Sequence, residues 1–274
     1  QFVTTRIGIE PVIVVRDKEM RLHAFANVCR HRAANVETAA EGKKSRFMCR
    51  YHGWSYDLTG RIAGTPEIEE SQFDRKACRL PEFAVAEFSN IVFVNLQTRP
   101  SDLHAHLKPL PERAEFAATS AMRWHTRKEY DLDCNWKLFI DNYLDGGYHI
   151  RTLHPSLAKL INMETYETMV FDRTSLQTSP LSASQQNQDA AAKKTRKGQA
   201  FYWWVYPNLM INIYDDTMDL NYVVPLGPAK CRVVFDFYFS DTVFAKDQNF
   251  AQESMRVADG IQDEDMEICN EIQR

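Results

Sequence analysis

Cys29-Arg30-His31 and Cys49-Arg50-Tyr51-His52, separated by 17 intervening residues, restrict this chain more than any other feature. Two thiolates and two imidazoles, delivered as two short clusters, can close one metal site. Structural zinc modules often take two Cys from one knuckle and two His from one helix. Here each cluster supplies one of each, so the ligand types alternate along the chain. A [2Fe–2S] centre with two His in place of two Cys on one iron needs the sulfurs on one side and the imidazoles on the other. Two fingers that approach each other achieve that sorting. Neutral imidazoles also leave the centre less negative and easier to reduce. On these four residues alone, structural zinc stays open as the alternative.

Gly53-Trp54 follows the second cluster directly. With it, Asn27-Val28-Cys29-Arg30-His31-Arg32 and Cys49-Arg50-Tyr51-His52-Gly53-Trp54-Ser55-Tyr56 resemble the two fingers of the Rieske domain in Rieske non-haem iron oxygenases. The resemblance implies that Cys29 and Cys49 hold one iron of a [2Fe–2S] cluster, and His31 and His52 the other.

A bare cluster domain would only carry electrons, so the rest of the chain decides the function. Its 274 residues suggest about two domains with a sizeable core. At 44% hydrophobic and 26% charged residues, disorder is not expected. A net charge of −4 argues against a surface that tracks nucleic-acid phosphates. No apolar stretch approaches the roughly 20 residues of a membrane span, and the first residues carry no signal-peptide pattern. Six cysteines are too few for a disulfide scaffold. A soluble intracellular protein is expected. The chain opens without Met and stops at Arg274 inside a helical pattern, so it is expected to be trimmed.

The first hundred residues read as strands: Val12–Val15, Leu22–Ala26, a hairpin around Thr59-Gly60, and Ile91–Leu96. Prolines and polar residues between Thr98 and Pro111 suggest a boundary. Beyond it, Trp136, Phe139, Ile140, Tyr143 and Leu144 fall on one helical face. Thr178–Gln199 is poor in large apolar residues and reads as a loop, either a solvated connector or a lid. Strand-like runs follow at Phe201–Tyr206, Leu209–Tyr214, Leu220–Val224 and Cys231–Ser240, then a helix from about Asp247 to Gln273. The fold class is α+β.

A second constellation lies in that part. Asp141, Asp145 and His149 recur every four residues, along one side of a helix. His154 is too far round a regular helix to share the face of His149. Gly146-Gly147 and Pro155, however, predict a distortion that brings the second imidazole back. Two His and one carboxylate form the facial triad of non-haem Fe(II) oxygenases, with positions left open for O2. The C-terminal helix offers the carboxylate. Asp265 falls in the stripe of Ala258, Ile261, Ile268, Cys269 and Ile272, where burying a charge is costly unless a cation such as a metal is near. A local ion pair is the ordinary alternative, and Asp263 and Glu264 are the fallback ligands.

The resemblance extends through this region. Asn135-Trp136-Lys137, then Asp141-Asn142-Tyr143-Leu144-Asp145-Gly146-Gly147-Tyr148-His149 and His154, resemble the family's iron motif. It implies a Rieske [2Fe–2S] domain over 1–105 and a helix-grip catalytic domain over 106–274, with an antiparallel sheet and a C-terminal helix. Mononuclear Fe(II) would sit on His149, His154 and Asp265. Asp145, with Asp141 and Asn142, would form the catalytic surroundings. Many members carry the acid that links cluster and iron three residues before the first His. Here Gly146 takes that place, so Asp145 is the first choice and Asp141 the second.

Within the family, Tyr206-Pro207-Asn208-Leu209-Met210-Ile211-Asn212 and Pro225-Leu226-Gly227-Pro228 look most like choline monooxygenases. That implies a small quaternary ammonium substrate, O2, a ferredoxin or flavin reductase as electron donor, and a homotrimer. The expected product is betaine aldehyde hydrate, a step of glycine betaine biosynthesis. The compartment would be the cytoplasm, or the plastid stroma in a plant. The aromatic run Phe201–Tyr206 with Tyr214 suits a cation cage, with Trp204, Tyr206 and Tyr214 as candidate walls and Tyr202 sharing their face. Aromatics also favour strands for packing alone. A betaine N-demethylase or an aromatic-ring dioxygenase would use the same metals, and an electron carrier would lack the second site.

Overall fold

Strands β1 (Phe2–Ile7), β2 (Glu10–Arg16) and β3 (Leu22–Ala26) form an antiparallel meander. Val12, Ile13, Val14 and Val15 of β2 are all buried, because alternate side chains feed two clusters. Ile13 and Val15 pack with Phe2, Phe25, Phe47, Trp54 and Tyr56. Val12 and Val14 pack with Ala24, Phe83 and Val85. A β-branched run thus becomes a strand covered on both faces. The computed structural model describes all residues except 70–72, 76, 90, 98, 118, 182–197, 215 and 247.

The chain divides into two compact units, Gln1–Leu103 and His104–Arg274. The first adds β4 (Glu41–Gly42), β5 (Phe47–Met48), β6 (Ser55–Tyr56), β7 (Ile62–Gly64), β8 (Glu82–Phe88) and β9 (Ile91–Asn95). Its sheets run β4-β1-β2-β3-β8-β9 and β5-β6-β7. The hairpin expected at Thr59-Gly60 forms. Asp57 Oδ1 accepts from the Thr59 and Arg61 amides at 2.8 and 3.0 Å. Gly60 holds φ +78°, and a Cβ there would stand 2.7 Å from Phe25, so the turn requires glycine.

The second unit begins one residue into α1 (Leu103–Leu107) and contains β10 (Arg123–Leu132), α2 (Trp136–Leu144), α3 (Gly147–Leu153) and α4 (Pro155–Leu160). Then follow β11 (Glu167–Val170), β12 (Thr174–Pro180), β13 (Gln199–Val205), β14 (Leu209–Tyr214), β15 (Thr217–Gly227), β16 (Lys230–Phe239), α5 (Asp241–Lys246) and α6 (Gln248–Ile272). The seven strands pair antiparallel in the order β10-β16-β15-β14-β13-β12-β11. Alternate residues of β16, Val233, Phe235, Phe237 and Phe239, join Phe139 and Ile140 of α2 and Ala251 and Cys269 of α6 in one core. Each buried Phe contributes roughly 1.5–3 kcal/mol.

The α+β class expected from the sequence is the class observed. Thr178–Gln199 needs correction at both ends. Thr178–Pro180 complete β12 and Gln199 opens β13, while 182–197 lie outside the described residues. Low hydrophobicity misleads here because buried hydroxyls are satisfied: Thr178 Oγ1 donates to Ala200 O at 2.9 Å, and Ser179 Oγ to Asn162 O at 2.8 Å. Ile272, expected on the inward stripe, is the last residue of α6 and 58% exposed.

Candidate metal centres

The two fingers are built alike. In the first, Cys29 N donates to Ala34 O at 2.8 Å and Ala33 N to Cys29 O at 3.0 Å. In the second, Cys49 N donates to Trp54 O at 2.8 Å and Gly53 N to Cys49 O at 3.0 Å. Ala33 and Gly53 take equivalent positions with φ of 56° and 71°. Both cysteines are buried, and the His31 and His52 rings meet at 4.5 Å. His31 also stacks on Trp54 at 4.8 Å. Burial, with His52 and Arg32 nearby, pushes the His31 pKa down, so its imidazole is neutral and fit to ligate. Its Nδ1 is buried without a hydrogen-bond partner. Tyr56 lies 3.3 Å from Cys29 Sγ through its hydroxyl, which accepts from Arg30 N at 3.0 Å. Two thiols, two imidazoles and an orphaned ring nitrogen fit a [2Fe–2S] group.

The second centre depends on a broken helix. Asn135 caps α2 by accepting from Lys137 N at 3.0 Å. The regular spacing of Asp141, Asp145 and His149 predicted one continuous helical side, but α2 ends at Leu144. Gly146 turns the chain with φ +55°, and a Cβ on it would lie 1.7 Å from Gln177 Oε1. Gln177 Nε2 donates to Tyr143 O at 3.0 Å, and Tyr166 donates to Gln177 Oε1 at 2.8 Å, so this carboxamide closes the gap. His149 is the third residue of the next short helix, α3, and His154 follows its last residue, ahead of Pro155.

The break brings the rings of His149 and His154 to 5.1 Å. Ligand atoms of His149, His154 and Asp265 all lie within 4.8 Å of one another. Asp265 Oδ1 is 3.1 Å from His154 Nε2 and accepts from Asn142 Nδ2 at 2.6 Å. Glu264 Oε2 stands 2.7 Å from His154 Nδ1. It therefore orients the imidazole from behind, as outer carboxylates do for ligating histidines. Asp263, the other fallback, is exposed, as are Asp141 and Asp145. Burial and the neighbouring His154 lower the His149 pKa against the pull of Asp265 and Asp145. Burial also disfavours charge on His154, but Asp265 and Glu264 outweigh it and raise that pKa. His149 Nδ1 is buried without a partner. Two imidazoles and a carboxylate at this spacing fit one mononuclear iron.

The triad opens on a cavity of about 140 Å³. Tyr202 and Tyr214 line it from the aromatic strands; Trp204 and Tyr206 do not. Tyr206 falls beyond the end of β13 and is 49% exposed, and Trp204 packs into the core. The sequence reading missed Gln177, Asn212, Asp219 and Asn221, all in the cavity wall. For Asn212, Asp219 and Asn221, polar residues within the otherwise largely apolar strands β14 and β15 were the available signal; Gln177 sits in a polar strand and gave none.

The Ring hydroxylating alpha subunit (catalytic domain) family matches residues 120–274, and the Rieske [2Fe-2S] domain family matches residues 1–87. The chain therefore belongs to the ring-hydroxylating alpha-subunit family of Rieske oxygenases, whose metal groups are a [2Fe–2S] cluster and a mononuclear iron.

Among relatives, it is 36% identical to the chloroplastic choline monooxygenase of Arabidopsis thaliana, over 100% of this chain and 66% of that protein. It is 24% identical to the carnitine monooxygenase oxygenase subunit of Acinetobacter pittii (strain PHEA-2), over 100% of this chain and 74% of that one. The crystal structure of the quaternary ammonium Rieske monooxygenase CntA with L-carnitine superposes with a TM-score of 0.84. The two are 23% identical over 100% of this chain and 73% of that one, and share the fold. The chain spans 61–66% of the length of the choline monooxygenases it matches.

Proposed function

We propose that this protein is a Rieske-type monooxygenase that hydroxylates a small quaternary ammonium substrate, choline to betaine aldehyde hydrate. The observation that carries the reading is the convergence of His149, His154 and Asp265 beside an aromatic-walled cavity. Similarity to choline monooxygenases supports the substrate.

The cluster supplies single electrons and the iron activates O2 when each is bound. The protein's part is positional. Glu264 fixes the ring of His154, and the Asn142 amide holds one oxygen of Asp265. Phe139, Ile150, Leu157, Phe235 and Phe237 line the cavity with apolar surface, which excludes water from the reacting carbon.

The reading extends to assembly. A homotrimer would pass electrons from the cluster of one protomer to the iron of the next, with Asp145 as the link. The exposure of Asp145, close enough to act on the His149 charge, supports this role. A ferredoxin or flavin reductase supplies the electrons.

The test is turnover of choline with a surrogate reductase, reading oxygen uptake and product together. Betaine aldehyde formed in step with oxygen supports the proposal; formaldehyde instead would mean N-demethylation. Asp145→Asn should leave the cluster reducible while product collapses, and unchanged turnover would move the link to Asp141.

A further inference from the structure

We propose that Gln262 is a substrate-positioning residue that, with Asn221, holds the oxygen-bearing end of the ammonium alcohol. The inference rests on the quaternary ammonium reading above and gives the substrate hydroxyl its partners in the wall.

Gln262 lies on α6 three residues before Asp265, and both line the cavity with Ala258 and Ile261. Residues three apart on a helix are neighbours, with about 5–6 Å between their Cβ atoms. A group bound by the Gln262 carboxamide is therefore held one helical turn from a candidate iron ligand. Gln262 is 1% exposed, and among the described residues neither its Oε1 nor its Nε2 has a hydrogen-bond partner. A buried amide left unpaired is costly, and a ligand that pairs with it recovers that cost.

Asn221 adds a further open atom. Gln177, Tyr202, Asn212, Asp219 and Phe237 stand directly opposite one another on β12 to β16, and all five line the cavity. Asn221 is two residues beyond Asp219 on β15, so it shares that sheet face, and it lines the cavity too. Its Nδ2 donates to Asp219 Oδ2 at 3.0 Å. A carboxylate only accepts, so this bond settles which way the Asn221 amide points. Its Oδ1 is buried, with no hydrogen-bond partner among the described residues.

The open atoms are thus one amide nitrogen, which donates, and two carbonyl oxygens, which accept. An alcohol both donates and accepts, so it pairs with the nitrogen and with one carbonyl. An aldehyde hydrate carries a second hydroxyl on the same carbon, whose proton suits the other carbonyl. A carboxylate only accepts and leaves both carbonyls unpaired. The methylated ammonium cannot donate hydrogen bonds. It is served by other elements of the wall, through the aromatic faces of Tyr202 on β13 and Tyr214 on β14.

The experiment measures binding of choline, and of ethyltrimethylammonium, which lacks the hydroxyl, to the metal-loaded protein by calorimetry. The wild type should bind choline at least about tenfold more tightly. Gln262→Met keeps the length of the side chain and removes both amide atoms. It should weaken choline by about tenfold and bring it level with ethyltrimethylammonium, whose own affinity stays the same. Iron content and cluster absorbance should stay unchanged. A packing defect would weaken both compounds alike, and that result overturns the inference, as does a preference for choline that survives in the variant. So does wild-type protein that binds the two compounds equally, an arm that needs no variant to fold. Wild-type protein that binds neither compound rejects the quaternary ammonium reading and this inference with it. Because binding is read without turnover, choline bound through Gln262 but not oxidised keeps this inference and rejects the monooxygenase reading alone.

Discussion

Each cluster finger carries its geometry within a few residues, from Cys29 to Ala34 and from Cys49 to Trp54, closed by the same two backbone bonds. The candidate triad of His149, His154 and Asp265 is assembled from afar: Asn142 and the Asp265 it holds are 123 residues apart, on α2 and α6. The donor types overlap, yet the two sites depend on different things. The fingers need only their own loops and the strands behind them. The triad needs a helix broken at Gly146, a second helix in register over the sheet, and Gln177 to close the gap. Local closure suits a group that changes charge without changing ligands, and distant assembly leaves room for a substrate.

The sharpest way to break this comparison is to empty one site and watch the other. Asp265→Ala should abolish product and mononuclear iron while the cluster's visible spectrum persists. Cys49→Ser should do the reverse, removing the visible cluster and its sulfide while the other site still takes up iron. Loss of both metals from either single substitution would show that the sites do not form independently.

Glu264→Gln sharpens the comparison at the distant site. Its carboxylate aligns His154 from 2.7 Å, so iron affinity should fall by about 10–100-fold in chelator competition, with the cluster untouched. Unchanged affinity would mean that the ring is held by packing alone.

At the local site the corresponding support is the Tyr56 hydroxyl at Cys29 Sγ. A hydrogen bond to sulfur stabilises the reduced, more negative cluster. Removing a bond worth about 1 kcal/mol in Tyr56→Phe should lower the potential by roughly 40 mV in a redox titration. A shift upward would exclude the hydroxyl as donor.

The smallest effect belongs to Ala33. A left-handed conformation costs a non-glycine residue about 1–2 kcal/mol, and glycine loses roughly 0.5–1 kcal/mol in chain entropy. Ala33→Gly should therefore leave thermal stability level or raise it by up to about 1.5 kcal/mol. A clear drop in melting temperature would show that the methyl group is packed.

The same contrast explains what the sequence disclosed. The paired fingers were legible because the two Cys and two His lie in two contiguous motifs. The helix break was legible from Gly146-Gly147 and Pro155, and Asp265 from its place among apolar residues on α6. The continuous helical side was right only for Asp141 and Asp145, whose amide still bonds Asp141 O; the break at Gly146 places His149 on a separate helix. Trp204 and Tyr206 were wrong because composition does not say where a strand ends or which row reaches the cavity. Gln177, Asn212 and Asp219 come from three strands, and only tertiary pairing sets them side by side. Their polarity was visible, but their meeting was not.

That cross-strand row makes the cavity wall behave like a combination lock with one wheel per strand. Gln177, Tyr202, Asn212, Asp219 and Phe237 each belong to a different strand. A point substitution turns one wheel and leaves the others set. Gain or loss of a single residue in β15 shifts every side chain beyond it to the opposite face and replaces Asp219 by an apolar neighbour, Met218 or Leu220. New substrate ranges should therefore arise in this protein by exchange of side chains at fixed register, and insertions should be tolerated only where the strands have ended.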